Sequence, residues 1–331
     1  NLYKWSLLTP FLLTLLASSQ LAAKIEDTVK ETFSTTDAGL LTLQLQSSSV
    51  EIDTYEGSEL SVEIHRTMKR GDEEDFRNEL EKVDLTFEQS GNDIRCILKY
   101  ENKSSGWSMF SGSKHRLNFR TVVKIPKEYD VDTQTSGGSI GLSNLIGNAD
   151  LNTSGGSIRM EYVQGNLKAR TSGGGIQAND CDGNVDMRTS GGSIKAENIA
   201  GSLVGKTSGG NVTVKDISGN ADVSTSGGSI SLGRVDGNLE ASTSGGSIRA
   251  TIVGQPTENC TLKTSGGSII LAVDSNANLQ IDASTSGGGV SSQLSLDAVE
   301  AKRSSMKGRL NEGGPILKAR TSGGSIQINS I

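Results

Sequence analysis

The chain of 331 residues is poor in aromatic residues, cysteine and histidine. Phe, Trp and Tyr together make up only 4% of it, so any core must be built from small aliphatic side chains. Three cysteines are too few for a disulfide scaffold. Two histidines leave little material for a histidine-based metal or catalytic site. The formal charge of −6 argues against a general nucleic-acid binder, which usually carries a basic face. We therefore expect no cofactor and no nucleic-acid partner.

Glycine, in contrast, is abundant and unevenly distributed. Of 41 glycines, 35 lie in residues 135–331. Charge changes at the same place: residues 24–134 hold 15 Lys or Arg and 22 Asp or Glu, whereas residues 135–331 hold 16 of each. These shifts in composition predict a boundary between a region 24–134 and a region 135–331.

Residues 1–23 form a third kind of sequence. Lys4 precedes an apolar run from Leu7 to Leu16, and small residues follow it up to position 23. This layout predicts a signal peptide over residues 1–23 and export to the periplasm, the outer surface or the medium. A membrane anchor is the alternative, although the run is shorter than the ~20 residues that a span needs. The sequence has no second run of spanning length.

The tetrapeptide Thr-Ser-Gly-Gly occurs ten times after residue 134. The numbers of successive threonines differ by 18 six times, then by 21 twice and finally by 36. A fixed period near 20 is typical of a solenoid, in which each coil stacks on its neighbours. The last interval equals two periods and indicates one coil that lost the motif or was replaced by an excursion. The ten threonines are Thr135, Thr153, Thr171, Thr189, Thr207, Thr225, Thr243, Thr264, Thr285 and Thr321.

Each period contains two short segments in which apolar and polar residues alternate, separated by glycine. Such alternation predicts two β-strands per coil. The residue five positions after each threonine is always Ile or Val, so this column should line the core. Columns ten and fourteen positions after the threonine are also apolar, and they include Cys181 and Val253. We predict an all-β fold, a parallel β-solenoid (β-helix) with coils of about 18 residues.

The glycines are expected at the corners between strands, because glycine tolerates positive φ. Asparagines recur after the second corner glycine, as at Asn148, Asn166 and Asn184. Stacked asparagines can bond to one another along the axis. We expect the Thr and Ser of the tetrapeptide to do the same at the other corner.

Residues 24–134 alternate without the repeat. Segments such as Leu60–Ile64 and Ile94–Leu98 predict strands, and Asp72–Lys82 predicts one short helix with acidic residues at its start. Residues 103–114 form a Ser/Gly-rich loop with Trp107, Met109 and Phe110. We interpret the region as an antiparallel β-rich cap over one end of the solenoid.

The order of these features resembles the DUF4097 group of bacterial envelope proteins. The similar parts are the strands from Leu41 to Ile64, the segment Val123–Pro126, the ten repeats, and the turn Leu310–Pro315 before the last coil. The resemblance implies a β-solenoid to which an adhesin role is ascribed. It supplies no catalytic residues.

Enzymatic activity is the first alternative, since some β-helices cleave polysaccharides. Glycosidases need two carboxylates ~5–9.5 Å apart. Asp150, Asp186 and Asp222 fall in one outward column, two coils or ~9.6 Å apart. Lys168 and Val204 occupy the coils between them, and no aromatic residue follows Tyr162 to stack on a sugar. We therefore predict no enzyme and no catalytic, cofactor or metal site.

One outward stripe is basic. Arg170, Arg188 and Lys206 recur on successive coils, with Lys168 nearby. They could contact an anionic glycan or headgroup through point charges. The alternative is a solvated face in which these cations pair with Asp186.

These observations favour an exported, non-enzymatic module that binds a cell-surface glycan or envelope component, as an adhesin or a structural element. A scaffold that self-associates through the solenoid ends is the second hypothesis, because repeats run close to Ile331 without an obvious cap. A carbohydrate-active enzyme is the third.

Overall fold

A computed structural model of the chain describes residues 25–100 and 117–331. The chain divides into two compact units, one ending at Ile146 and one spanning Gly147–Ile331. The predicted signal peptide and the predicted loop 103–114 lie outside the described residues. The first Thr-Ser-Gly-Gly coil belongs to the first unit, so the division falls beyond the boundary that composition predicts at 134.

Within its described residues, the first unit contains one helix, α1 (Glu73–Leu80), and nine strands. The strands are β1 (Ile25–Ser34), β2 (Leu40–Leu45), β3 (Ser48–Tyr55), β4 (Glu59–Met68), β5 (Val83–Ser90), β6 (Asp93–Tyr100), β7 (Leu117–Pro126), β8 (Asp130–Thr135) and β9 (Ile140–Ser143). Asp72 caps the helix: its carboxylate accepts from the Asp75 backbone N–H, while the Asp75 side chain bonds back to the Asp72 N–H. The predicted short helix is confirmed.

Parallel and antiparallel pairs both occur in the first unit, so the antiparallel interpretation of this region is confirmed for some strand pairs and wrong for the others. One sheet has the order β1-β4-β7-β3-β9, and the other has the order β5-β6-β2-β8. β3 is parallel to both β7 and β9, and β2 is parallel to both β6 and β8. The coil β2–β3 therefore lies between two coils that follow it in sequence. Antiparallel pairing joins β1, β4 and β7 in one sheet and β5 and β6 in the other. The role of this region as a cap stays a prediction.

The second unit contains twenty strands. They are β10 (Ala149–Thr153), β11 (Ile158–Gln164), β12 (Leu167–Arg170), β13 (Ile176–Asp182), β14 (Val185–Arg188), β15 (Ile194–Ile199), β16 (Leu203–Lys206), β17 (Val212–Ile217), β18 (Ala221–Thr225), β19 (Ile230–Val235), β20 (Leu239–Thr243), β21 (Ile248–Ile252), β22 (Cys260–Lys263), β23 (Ile269–Val273), β24 (Leu279–Thr285), β25 (Val290–Ser292), β26 (Asp297–Lys302), β27 (Ser305–Leu310), β28 (Ile316–Thr321) and β29 (Ile326–Ser330).

Each coil of this unit gives one strand to each of two sheets. Sheet I has the order β11-β13-β15-β17-β19-β21-β23-β29-β25. Sheet II runs from β10 through the even-numbered strands to β22 and continues as β28-β24-β27-β26. Neighbouring strands of the regular coils are parallel and in register, as in the pair Ile158–Ile176. The unit is thus a parallel β-solenoid, as the repeat predicts.

The apolar columns line the interior between the two sheets. The Ile/Val column is buried at nine of its ten positions, and Val290 in the short strand β25 is the half-buried exception. Cys181 is buried among aliphatic residues, as predicted, and Cys260 is buried as well. The assignment of Val253 to the core is wrong, because a register shift between β19 and β21 places Ile252 opposite Val235.

The C-terminal part of the unit departs from sequence order. In sheet II, β22 pairs with β28, and β28 pairs with β24. In sheet I, β23 pairs with β29, and β29 pairs with β25. The coil β28–β29 therefore inserts between two coils that precede it in sequence. The long interval between the last two tetrapeptides contains a hairpin, β26–β27, whose second strand is antiparallel to β24.

This order removes one reason for expecting self-association. The last coil in sequence is an inner coil, and the outer strands are the three-residue β25 and the hairpin strand β26. Short edge strands discourage edge-to-edge pairing, and so do charged side chains and bulges, both of which β26 contains. Association through the ends stays a prediction.

Close approach of neighbouring coils explains the second glycine of each tetrapeptide. A Cβ at Gly210 would lie 2.1 Å from the Gly192 carbonyl oxygen, whereas one at Gly209 would lie 3.3 Å from the Gly191 oxygen. Neither residue has a positive φ, so the predicted reason is wrong at this corner. Positive φ occurs at the other corner, as at Gly165 with φ +144°.

The threonines point inward and bond to glycine, not to one another. Thr207 Oγ1 donates to the Gly192 carbonyl of the preceding coil at 2.7 Å and accepts from the Gly210 N–H at 3.3 Å. The predicted threonine ladder is therefore wrong, because the hydroxyl satisfies backbone groups instead. The asparagine ladder is confirmed: Asn166 Nδ2 donates to Asn148 Oδ1 at 3.3 Å, and the contact repeats between Asn184 and Asn166.

Candidate functional site

The outer face of sheet II carries the predicted site residues. Alternation along each strand points every second side chain outward, and parallel register aligns these positions from coil to coil. Lys168 on β12 lies between Asp150 on β10 and Asp186 on β14. Arg170, Arg188 and Lys206 are direct partners on successive strands. The structure thus brings together the four residues that we call the basic stripe: Lys168, Arg170, Arg188 and Lys206.

Carboxylates neutralise most of this stripe. Arg170 lies 3.5 Å from Asp150 and 3.8 Å from Asp186, and Arg188 lies 2.8 Å from Asp186. Lys206 Nζ lies 2.7 Å from Asp222 Oδ2. Lys168 is exposed, and no ion pair within 4.0 Å involves it in the described part of the chain. Salt bridging, the alternative interpretation of the stripe, therefore accounts for three of its four cations.

The same contacts bear on the candidate carboxylate pair. Asp150 and Asp186 stand two coils apart, as predicted. However, the Arg170 guanidinium contacts both carboxylates, so it occupies the space in which an inverting pair would hold its water. Asp222 is held by Lys206. This arrangement suits a charge ladder better than acid–base catalysis.

No group of three or more potential metal ligands occurs among residues 25–100 and 117–331. The three thiols are buried and free. Burial raises the pKa of Cys96 to about 12 and that of Cys181 to about 11. Neutral thiols are poor nucleophiles and poor metal ligands, so these cysteines serve as small core residues.

A second cluster of cations lies on the same face at the other end of sheet II. Lys263 on β22 is the direct partner of Arg320 on β28. Lys318 precedes Arg320 by two positions on the outer face of β28. Asp282 on β24 is the direct partner of Lys318 on one side and of Lys307 on β27 on the other side. We call Lys263, Lys307, Lys318 and Arg320 the C-terminal basic surface.

Most cations of this surface lack a carboxylate partner. Arg320 binds Asp282 at 2.5 Å and also donates to the Asp282 carbonyl oxygen. Lys263, Lys307 and Lys318 are exposed, and the described residues provide no ion pair within 4.0 Å for any of them. Lys263 and Arg320 directly precede a tetrapeptide threonine, which is the repeat position of Arg170 and Arg188, and Lys318 holds the position of Lys168. Sequence reasoning missed the surface because Lys263 and Lys318 are far apart in the sequence and Lys307 lies in the long interval without a repeat position. The inserted strand β28 brings them together.

Stacked coils, inward aliphatic columns and a charged outer face define a β-solenoid. The chain belongs to the Toastrack DUF4097 family, whose model matches residues 40–329. The resemblance seen in the sequence is thereby confirmed. None of the helices in the described ranges has the length and hydropathy to cross a membrane.

Several solved structures of bacterial proteins are similar to this chain at low sequence identity. A "putative adhesin" from Bacteroides fragilis is 11% identical, with 92% of this chain and 97% of that chain covered and a TM-score of 0.30. A "putative lipid binding protein" from Parabacteroides distasonis is 14% identical, with 91% and 96% covered and a TM-score of 0.34. A "putative cell adhesion protein" from Clostridium sporogenes is 12% identical, with 92% and 100% covered and a TM-score of 0.24. No curated protein matches the chain.

Proposed function

We propose that this chain is an exported, non-enzymatic β-solenoid that binds an extended polymer of a cell surface or envelope, as an adhesive or structural module. One observation carries the proposal: the register of sheet II aligns outward charges into a linear array along the coils. Such an array matches a polymer that lies along the solenoid axis. The buried columns hold the array rigid, because each coil packs on both neighbours.

The basic stripe is the proposed contact for anionic groups of that polymer. Lys168 is free to bind, while Arg170 and Arg188 keep part of their donor capacity, since a guanidinium carries five N–H donors. Their side chains are 42% and 45% exposed. Family membership supports an envelope role, because the resemblance to the DUF4097 group implies an envelope protein.

A whole-cell attachment assay tests the proposal. Cells that lack the gene are compared with cells that carry it, and envelope fractions are probed with the purified full chain. The stripe variant replaces Lys168, Arg170, Arg188 and Lys206 with Gln. A matched control replaces four cations on the outer face of sheet I, namely Arg159, Lys195, Lys215 and Arg249.

We expect gene loss to reduce attachment and the stripe variant to lower envelope binding more than the control. Unchanged attachment after gene loss, together with no envelope fraction bound, would remove the adhesive function. Equal losses in both variants would assign the effect to net charge and not to the stripe.

A further inference from the structure

We propose that the C-terminal basic surface is a second binding site, and that its ligand is an anionic polysaccharide. This inference rests on the proposed surface-binding function and names a ligand class for it. The site differs from the basic stripe in the balance of its charges, its position on sheet II and the way in which the chain builds it.

The balance of charge is the first argument. In the basic stripe, Asp150, Asp186 and Asp222 lie within 4.0 Å of three of the four cations. In the C-terminal basic surface, Asp282 forms an ion pair with Arg320 alone.

The lysines of this surface are accessible to a ligand. Glu300 on β26 is the register partner of Lys307, yet both side chains are exposed and they form no ion pair within 4.0 Å in the described structure. Lys263, Lys307 and Lys318 therefore have solvent as their partner. A ligand anion can replace that solvent at low cost, because exposed charges are held only weakly.

The register is the second argument. Lys263 and Arg320 stand directly opposite each other on β22 and β28, whose backbones lie ~4.8 Å apart. The Arg320 guanidinium binds Asp282 on β24, whereas Lys263 has no ion pair in the described structure. An anion that reaches Lys263 therefore also lies beside Arg320, which makes this pair the centre of the site.

The shape of the surface is the third argument. The cations extend over β22, β28 and β27, across a face with parallel neighbours at β22–β28 and β28–β24. An extended polyanion can contact several of them at once, so weak individual contacts add through multivalency. A membrane-docking surface would place aromatic or leucine side chains beside its cations. The outer positions of β28 offer only Ile316, which is 38% exposed.

Titration of the full chain with polygalacturonate, at low and at moderate salt, tests this site. Neutral dextran is the uncharged probe, and vesicles that contain phosphatidylglycerol represent the lipid source of anions. The site variant carries Lys263→Gln, Lys307→Gln and Lys318→Gln. The matched control carries Arg159→Gln, Lys195→Gln and Arg249→Gln, which removes the same charge from three exposed positions of sheet I.

We expect the full chain to bind polygalacturonate and not dextran, with affinity that falls as salt rises. The site variant should bind about tenfold more weakly, because three exposed charge contacts are lost together. The control should retain its affinity. Equal weakening in both variants, or preference for the vesicles over polygalacturonate, would overturn the proposal.

The melting temperature of a single variant provides a second measurement. Lys263→Gln alone should leave the melting temperature unchanged while weakening polygalacturonate binding, because the exposed Lys263 side chain has no ion pair to lose in the described structure. A lowered melting temperature would show that Lys263 has a structural role instead. If the chain does not bind polygalacturonate but still promotes attachment, the site is wrong and the proposed function stands. If the chain binds polygalacturonate but loss of the gene does not change attachment, the site stands and the proposed adhesive function is wrong.

Discussion

The regular coils of the second unit and its C-terminal end are built from the same tetrapeptide but are ordered differently. From β10 to β23, each coil stacks on the coil that precedes it in sequence. Beyond β23, the chain lays down β24–β25, turns through the hairpin β26–β27 and returns to insert β28–β29. The repeat therefore specifies how one coil fits another, whereas it does not specify which coils are neighbours.

Removal of the inserted coil β28–β29 should have the largest effect on the C-terminal end and little effect on the regular coils. Deletion of residues 315–331 leaves β24 without its parallel partner β28 and separates residues 279–310 from the regular coils. We expect these residues to lose protection from hydrogen exchange almost entirely, while β12–β18 keep theirs. Retained protection at β24 would show that it can pair directly with β22.

The reactivity of Cys181 and Cys260 toward iodoacetamide provides a chemical measurement of the effect of the same deletion. Burial raises the pKa of Cys181 to about 11 and raises that of Cys260 as well, so both thiols are neutral and shielded at neutral pH. In the intact chain, we expect iodoacetamide in mildly alkaline buffer to label neither residue. In the deleted chain, Cys260 on β22 should become reactive because β22 loses its neighbour β28, whereas Cys181 should stay protected. Labelling of Cys181 would indicate that the whole solenoid has opened.

A glycine substitution tests how closely neighbouring coils approach each other in the regular part and at the terminal coil. Gly210→Ala forces a Cβ to within 2.1 Å of the Gly192 oxygen, so the coils must separate. We expect a loss of ~3–5 kcal/mol in the free energy of unfolding by urea denaturation. Gly289→Ala at the terminal coil is the control, since its Cβ would lie 3.5 Å from the Arg303 oxygen. Similar costs at both positions would contradict the steric explanation.

Removal of one inward hydroxyl should have a moderate effect. Thr207→Val deletes a donor to the Gly192 carbonyl and an acceptor of the Gly210 N–H. We expect a loss of ~1–2 kcal/mol, because two half-buried backbone groups lose their hydrogen-bond partner. Thr207→Ser keeps the hydroxyl and should recover most of this loss in the same denaturation measurement. A neutral Thr207→Val would show that water replaces both bonds.

The smallest effect is expected on the charged face. Asp186→Asn removes the carboxylate that lies near both Arg170 and Arg188, and it leaves Arg170 with Asp150 and Arg188 without an ion-pair partner in the described structure. The two cations stand directly opposite each other. We expect a loss of ~0.5–1 kcal/mol, which salt should reduce. Asp222→Asn, which affects the single pair with Lys206, should cost less. Urea denaturation at two salt concentrations measures both variants, and an effect that does not depend on salt would point to packing and not to charge.

The sequence predicts much of the regular solenoid because its constraints are local. Strand alternation, the column of Ile and Val, and the stacked asparagines all follow from the spacing of the tetrapeptides. The basic stripe was predictable for the same reason: its members stand at fixed offsets from Thr153, Thr171 and Thr189. The carboxylate contacts of Arg170 required the structure, since side-chain conformation decides between two acidic neighbours.

The repeat in the sequence specifies the coil: its two strands, its core columns and the glycine corner at which the next coil approaches. The order of the coils around β2–β3 and around β28–β29 emerges only in the folded chain. This is because every coil presents nearly the same backbone edge and the same aliphatic columns to its neighbours. Local patterns therefore fit several neighbours equally well. In the folded chain β28 lies between β22 and β24, and that order assembles the C-terminal basic surface.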